Sequence, residues 1–425
     1  MAMDEPNLQE DLIPSFRALG NRLERSWLHY NYDEEVFSRL ALESLEDSAS
    51  LKAMGVGGII DWFFGREHAF QQPSARKLFG QPPIMLFQAP RFYIEALFWF
   101  SGTTSIHEHG FSGAFSVLAG SSVHSHWHFE LERAINSRML CGRLDRVSTE
   151  ILTPGAIRPI RPGASLIHQL FHLEVPSVTI VVRTYFNRNN LPQYQYLPPG
   201  LAVDPEDYDP VRARRLMLLD AMSQGQIEGL DKYCQRLIAT SDVENLYYIF
   251  SLLIRRKLER GFLEDLYSAA YARHGDVVRL IWKVCAWERR TRIVTSLRSK
   301  VSDPDARFLL ALLMLMPNRN SVFETINLQF PEMVPLDVIE SWLEKLSGKE
   351  TLGFDFNDTN RILLRGLIEG LDMEDLLGRL LKEFQDGSIV ENRDRLIEHV
   401  KQLARSDLLF PLLSESPLRE EARAA

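Results

Sequence analysis

Cysteine and long apolar runs are both scarce in this sequence. Its 425 residues include three cysteines, which are too few for a disulfide framework and lie too far apart for a zinc ribbon. The longest apolar run, at 308–316, is less than half of the roughly 20 residues that a membrane-spanning helix requires. We therefore expect neither a disulfide scaffold nor a membrane protein.

Basic residues are fewer than acidic residues. Lysine and arginine total 48 against 57 aspartates and glutamates, which gives a formal net charge of −9. A protein that binds nucleic acid without regard to sequence needs a basic face to neutralise phosphates, so we expect no nucleic-acid partner. The first 16 residues are acidic and lack the basic and apolar regions of a signal peptide, which predicts a cytoplasmic protein.

The spacing of apolar residues changes twice along the chain. At 33–54 they recur at helical spacing. Between 83 and 186, short segments rich in β-branched and aromatic residues are separated by glycine and proline, which is typical of an antiparallel sandwich or barrel. From about 211 onward the spacing is again helical. The predicted fold class is α+β, with a β-barrel between N-terminal helices and an all-α C-terminal domain.

The same changes predict the domain boundaries. We expect a helical segment at 1–82, the barrel at 83–186, a linker at 187–210 and the helical domain at 211–425. The linker contains five prolines, and proline disfavours regular elements. Protease is expected to cut within the linker and to leave two folded pieces.

Histidine is concentrated in one part of the predicted barrel. Seven of the 11 histidines lie between His107 and His172. In an extended strand His107 and His109 project to the same face, and His168, which follows a Pro-Gly turn, could approach them from another strand. Imidazole suits iron, nickel, copper or zinc, and three histidines leave positions open for substrate and for oxygen or water. The alternative is a set of ordinary polar histidines. Glu108 points away from its two neighbours and is expected to be structural.

The remaining histidines of this region have alternative interpretations. His172, four residues beyond His168, is either a partner that orients a ligand or substrate, or an ordinary polar residue. His124, His126 and His128 alternate along one strand and so share one face. They favour a polar cavity wall or an interface, with a second metal site as the alternative.

Two stretches resemble the motifs of the cupin superfamily. The stretch WFSGTTSIHEHGFSGAFSVLAG at 99–120 contains a glycine, H-x-H and a later glycine. The stretch IHQLFHLEVPSVTIVVRTY at 167–185 supplies a histidine after Pro162-Gly163. Within the superfamily, these stretches look most like the cysteine dioxygenase family of thiol dioxygenases, and the resemblance covers residues 83–186.

The resemblance implies a cupin double-stranded β-helix, which is a jelly-roll barrel. His107, His109 and His168 would hold one ferrous ion, with nickel, manganese or zinc as alternative metals. General cupins carry a glutamate shortly after H-x-H, where this chain has Gly113 and Ala114, so a site of three histidines is expected. The partners implied are O2 and a small thiol- or amino-acid-like substrate.

The closing strand departs from the thiol dioxygenase pattern. Val181 and Arg183 stand where that family places a histidine and a tyrosine, and Tyr185 follows on the same strand face. Arg183 is a candidate carboxylate clamp because its planar fork suits bidentate recognition, and Tyr185 is expected beside it. The alternative is an arginine in solvent, in which case Arg158 and Arg161 are the next candidates.

Two functions of different classes follow from these features. The first is a mononuclear non-haem iron dioxygenase of the three-histidine cupin type, with Arg183, Tyr185 and His172 as candidate catalytic residues. The alternative is a cupin sensor or binding protein for a small molecule. In that case the helical C-terminal domain contacts a protein partner or mediates self-association.

Overall fold

The computed structural model describes most of the chain and divides into two compact units, Met1–Cys285 and Ala286–Ala425. The described residues are 12–48, 55–65, 72, 80–100, 103–185, 192–225, 227–256, 258–347, 352–384 and 392–419.

The strands of the first unit form two antiparallel sheets. They are β1 Pro83–Gln88, β2 Phe92–Trp99, β3 Ile106–His109, β4 Gly113–Ala119, β5 Ser122–Asn136, β6 Met139–Leu152, β7 Ile157–Ile160, β8 Gly163–His172, β9 Ser177–Thr184, β10 Gln195–Leu197 and β11 Leu201–Val203. One sheet has the order β1-β2-β9-β4-β7, and the other has the order β10-β11-β6-β5-β8-β3. From β2 to β9 the chain passes between the sheets in the order of a jelly roll, the architecture of cupins. The predicted fold class is confirmed.

Helices cover the outer face of the five-stranded sheet. They are α1 Leu12–His29, α2 Glu34–Glu46 and α3 Val56–Phe64. Helix α2 begins after Asp33, whose carboxylate accepts a hydrogen bond from the Glu35 amide at 3.0 Å and so satisfies a donor of the first turn. Phe37 of α2 belongs to the same buried core as Ile180 and Val182 of β9. The helices therefore bury the side of the sheet that faces away from the barrel interior.

Strand β9 is buried on both faces, and its alternation decides which residues reach the interior. Thr179, Val181 and Arg183 line a cavity between the two sheets, whereas Ile180 and Val182 pack toward the helices. Strict alternation in a strand places these two sets on opposite faces. The inward orientation of Arg183 agrees with the prediction from the sequence.

The predicted linker at 187–210 differs from the expectation because it contains two strands. Gln195 of β10 pairs with His107 of β3, and Leu201 of β11 pairs with Cys141 of β6. These strands close the second sheet into a barrel. Each is three residues long and lies between prolines, so neither has enough length to show a periodic pattern. The predicted separation of the barrel from the helical half by protease stays a prediction.

The rest of the described chain is helical. Its helices are α4 Pro210–Ser223, α5 Leu230–Thr240, α6 Val243–Arg255, α7 Arg260–His274, α8 Val277–Arg298, α9 Pro304–Leu315, α10 Arg319–Gln329, α11 Pro335–Lys345, α12 Asp358–Glu369, α13 Met373–Phe384, α14 Arg393–Ala404 and α15 Phe410–Leu413. The division between the two units falls within α8. Among the described helices, none has the length and apolarity needed to cross a bilayer.

An ion-pair network joins the barrel to the first of these helices within the first unit. Glu244 of α6 accepts hydrogen bonds from Asn136 and Arg138, at the turn between β5 and β6, at 2.6 and 3.0 Å. Its other oxygen accepts from Arg212 of α4 at 2.8 Å, and Arg212 also pairs with Asp207. Because Glu244 and Arg212 are buried, each charge depends on its partners.

Candidate metal centre

A cavity of about 60 Å³ lies between the two sheets. Aromatic and apolar side chains from β2, β4, β8 and β9 contribute to its wall, with Trp99 and Phe115 among them. The polar groups at the wall include histidines from β3 and β8 and one ion pair. A cavity of this volume holds a few water molecules or one small ligand.

Three histidines meet at one side of this cavity. His107 and His109 come from β3, and His168 comes from β8, where it is the direct cross-strand partner of His107. One ring nitrogen of each lies within 4.8 Å of the others. The Nε2 atoms of His109 and His168 are 2.8 Å apart. The structure thus brings together the three residues that H-x-H and the later histidine predict as ligands.

Burial keeps these imidazoles neutral. It lowers the pKa of His107 to about 4, and burial together with the neighbouring imidazoles lowers the pKa of His109 and His168 well below 6.5. The Nδ1 atom of His107 lies 2.8 Å from the Ser105 carbonyl oxygen, which only accepts hydrogen bonds. Nδ1 therefore carries the proton, and Nε2 carries the lone pair.

The donor set fits a transition-metal ion. Neutral imidazoles at metal–nitrogen distances near 2.0–2.1 Å would place ligand nitrogens about 3.0 Å apart when the bonds stand at right angles. The 2.8 Å separation of the His109 and His168 nitrogens is close to this value. Among the described residues, none forms a hydrogen bond with the buried Nδ1 atom of His109. Three histidines on one side leave the cavity side open for a further ligand.

Arg183 lies in the cavity wall beside an unexpected carboxylate, Glu95 of β2. One Arg183 guanidinium nitrogen is 3.7 Å from the Glu95 carboxylate, and the guanidinium carbon lies 3.4 Å from the centre of the Phe111 ring. Burial raises the pKa of Glu95 to about 7, although Arg183 acts to lower it. Glu95 was missed from the sequence. The available signal was one charged residue within the strand FYIEALFW at 92–99.

His172 also lines the cavity. Its ring stacks on Trp99 at a centroid distance of 4.7 Å and an angle of 17°. Its Nδ1 atom is 2.8 Å from the Ser122 hydroxyl and 3.2 Å from the Ser177 hydroxyl. These contacts fix the orientation of the His172 ring in the cavity wall. His172 is not one of the three clustered histidines.

Tyr185 does not reach the cavity, contrary to the alternation prediction. Strand β9 ends at Thr184, so the regular alternation no longer applies one residue later. The Tyr185 side chain is 39% exposed, and its hydroxyl donates to the Ala89 carbonyl oxygen and accepts from the Gln88 amide. The structure therefore does not bring Tyr185 together with Arg183.

A second cluster contains His124 and His126 of β5 and Glu150 of β6. Arg158 donates hydrogen bonds to both carboxylate oxygens of Glu150, which explains why this arginine does not line the cavity. His128 is exposed at the surface, so the three histidines of β5 do not form one continuous cavity wall.

Glu108 is structural, as expected. Its two carboxylate oxygens accept hydrogen bonds from the Tyr196 hydroxyl at 2.7 Å and from the Tyr194 amide at 3.2 Å. Glu108 therefore stabilises the pairing of β10 with β3, the strand that carries His107.

No family model and no curated protein matches the sequence. The structure of hydroquinone 1,2-dioxygenase from Sphingomonas sp. TTNP3 is 12% identical over 27% of this chain and 71% of that chain, with a TM-score of 0.20. A recombinant oxalate oxidase in complex with glycolate is 18% identical over 30% of this chain and 56% of its own, with a TM-score of 0.17. Another oxalate oxidase is 15% identical over 36% of this chain and 76% of its own, with a TM-score of 0.19. The assignment of the fold rests on the strand order of this chain itself.

Proposed function

We propose that this chain is a mononuclear non-haem iron oxygenase of the three-histidine type, acting on a small thiol- or amino-acid-like substrate. The observation that carries the proposal is the convergence of three buried, neutral imidazoles on one side of a small cavity. An Fe(II) ion held by His107, His109 and His168 would supply the oxygen chemistry. With neutral ligands it would keep its full positive charge, which favours anionic substrate groups.

The other polar groups of the cavity suit the binding of such a substrate. The Arg183 guanidinium can hold a substrate carboxylate, and burial among aromatic rings strengthens that interaction by excluding water. Glu95, whose pKa is about 7, can accept or release a proton near neutral pH. His172 is held at the wall by Trp99 and can orient the substrate. The cavity volume of about 60 Å³ limits the substrate to a small molecule.

Metal content tests the ligand set. His107→Ala, His109→Ala and His168→Ala should each weaken the affinity for metal. The loss should exceed the 10- to 100-fold that is typical when a residue next to a ligand is changed. The measurement is elemental analysis after anaerobic loading with Fe(II), Ni(II), Mn(II) or Zn(II). His399→Ala is the matched control, because His399 bonds to Asn360 in the second unit. Full occupancy in any of the three triad variants would remove that residue from the ligand set.

Oxygen consumption tests the reaction class. Anaerobically purified protein loaded with Fe(II) should consume O2 when supplied with one member of a panel of small thiols and amino acids. The same protein carrying His168→Ala should not. About one metal ion per chain without turnover on any panel member would instead favour a sensor or binding protein. In that case, the long helical region after residue 210 is the candidate for contacting a partner.

A further inference from the structure

A continuous chain of hydrogen bonds leads from the second cluster to the metal centre. The Nδ1 atom of His124 is 3.0 Å from a carboxylate oxygen of Glu150, and the Nε2 atom of His124 is 2.8 Å from the Nδ1 atom of His168. His124 is 1% exposed and His168 is 2% exposed. Arg158 donates hydrogen bonds to both oxygens of Glu150, including the oxygen that His124 contacts.

The direction of each hydrogen bond follows from the charge of Glu150, the residue at which this series of hydrogen bonds begins. The Arg158 and His124 contacts hold the pKa of Glu150 well below its usual range, so the carboxylate is ionised and only accepts. His124 must then donate from Nδ1, and a neutral imidazole with its proton on Nδ1 accepts at Nε2. His168 therefore donates from its own Nδ1, which leaves the lone pair of His168 on Nε2.

This tautomer directs the lone pair of His168 into the triad. The Nε2 atom of His168 is the atom that lies 2.8 Å from His109 Nε2. The opposite tautomer, with the proton on Nε2, would place an N–H where a metal ligand is required. His107 is controlled in the same way by the Ser105 carbonyl oxygen, so two of the three imidazoles have a partner that fixes the coordinating nitrogen.

We propose that Glu150 and His124 are positioning residues of the metal centre, which fix the tautomer of His168 and increase its strength as a ligand. A carboxylate that accepts from a ligating imidazole makes that imidazole a better donor to a metal, and here a second imidazole transmits the effect. This inference rests on the proposed metal centre and extends it beyond the three ligands.

The competing interpretation is a second metal ion held by His124, His126 and Glu150, whose ligand atoms lie within 4.8 Å of one another. The charge distribution argues against it. Both oxygens of Glu150 already accept from the Arg158 guanidinium, and a divalent cation beside that group would be repelled. His126 stands outside the hydrogen-bond chain, because its Nε2 atom is 3.9 Å from the Glu150 carboxylate, beyond hydrogen-bonding distance.

The experiment measures Zn(II) affinity by competition with a chromophoric chelator and records the visible bands of the Co(II)-loaded protein. His124→Leu should weaken Zn(II) binding about 10- to 100-fold and change the Co(II) bands, because His168 Nδ1 loses its acceptor. His124→Gln should recover most of the affinity, since its side-chain carbonyl can accept from His168. Glu150→Gln should lower affinity in the same direction as His124→Leu.

His126→Asn is the matched control, because His126 belongs to the second cluster but not to the hydrogen-bond chain. It should leave Zn(II) affinity unchanged, with one ion per chain. Two ions per chain, of which one is lost in His126→Asn, would overturn the proposal in favour of a second metal site. Unchanged Zn(II) affinity and Co(II) bands in His124→Leu would also overturn it while leaving the metal centre intact. Failure of the unaltered protein to bind any metal would refute the metal centre itself.

Nuclear magnetic resonance of the metal-free protein gives a second readout that does not depend on metal binding. In protein labelled with ¹⁵N-histidine, the ring nitrogens of His168 should report a neutral imidazole protonated at Nδ1. The same signals should change in His124→Leu. Protonation of His168 at Nε2 in the unaltered protein would contradict the inferred direction of the hydrogen bonds.

Discussion

At the scale of single residues, Arg183 is the side chain whose role is best separated from metal binding. Its guanidinium lines the cavity beside Glu95 and over Phe111. Arg183 is not one of the three candidate metal ligands. Arg183→Lys keeps the charge and loses the planar fork. It should weaken binding of the active panel substrate by about 1–3 kcal/mol, measured by calorimetry, and leave metal content unchanged.

Tyr185→Phe is the control for this prediction. Tyr185 follows the same strand but lies at the surface, so the loss of its hydroxyl should not alter substrate affinity. Normal substrate binding in Arg183→Ala would show that the carboxylate is held elsewhere in the cavity.

The Glu95 carboxylate predicts a pH dependence of stability. Burial raises its pKa from 4.5 to about 7, so the folded state binds this proton more tightly than the unfolded state. The resulting stability is fully present below about pH 4.5 and is lost as the pH rises through about 7. A shift of this size corresponds to about 3 kcal/mol.

Glu95→Gln removes this titration and is the variant that tests it. In metal-free protein, the free energy of urea unfolding of the unaltered chain should fall relative to that of Glu95→Gln between pH 5 and pH 8. Parallel pH profiles for the two proteins would mean that Glu95 stays ionised throughout, as a partner of Arg183.

At the scale of elements, the N-terminal helices stabilise the sheet without forming the cavity. Phe37 of α2 is fully buried and contacts Trp27 and Phe92, at ring-centre distances of 4.4 and 5.6 Å. Phe37→Ala should lower the free energy of unfolding by about 3–5 kcal/mol, measured by urea titration, with metal affinity retained in the folded protein. Phe64→Ala on α3 is the control, since Phe64 is 82% exposed, and should change stability by less than about 0.5 kcal/mol.

The elements that could be predicted from the sequence are those with a local pattern. H-x-H on one strand and alternation along β9 depend only on neighbouring residues, and the structure places His107, His109 and Arg183 at the cavity as these patterns predict. His168, which also lines the cavity, was expected instead from its place after Pro162-Gly163. The contact of His124 with His168 depends on the register of β5 against β8, which joins residues far apart in the chain. No local pattern encodes that register, so the link to Glu150 could not be predicted. Tyr185 was misplaced because the end of a strand is less well defined by the sequence than its interior.

At the scale of the whole molecule, the boundary between the barrel and the helices is set by contacts that cross the predicted linker. Glu244, well beyond residue 210, is bonded to Asn136 and Arg138 of the β5–β6 turn. The first compact unit accordingly continues to Cys285. These contacts indicate that the barrel and the first helices after it stabilise one another.

Truncation of the chain distinguishes this arrangement from a boundary at 187–210. A chain ending at residue 300, after the whole of α8, should unfold cooperatively, as judged by urea titration with two optical probes. A chain ending at residue 210 lacks both Glu244 and Arg212 and should be less stable than the chain ending at residue 300. Removal of Glu244 alone leaves the Arg212 charge buried with fewer partners, which costs about 3–5 kcal/mol. Glu244→Gln in the full chain should show a loss in the same direction, whereas Glu264→Gln, in the exposed pair Arg260–Glu264, should change stability by at most about 1 kcal/mol. If the chain ending at 210 is as stable as the chain ending at 300, the barrel folds alone and the helices begin a separate domain.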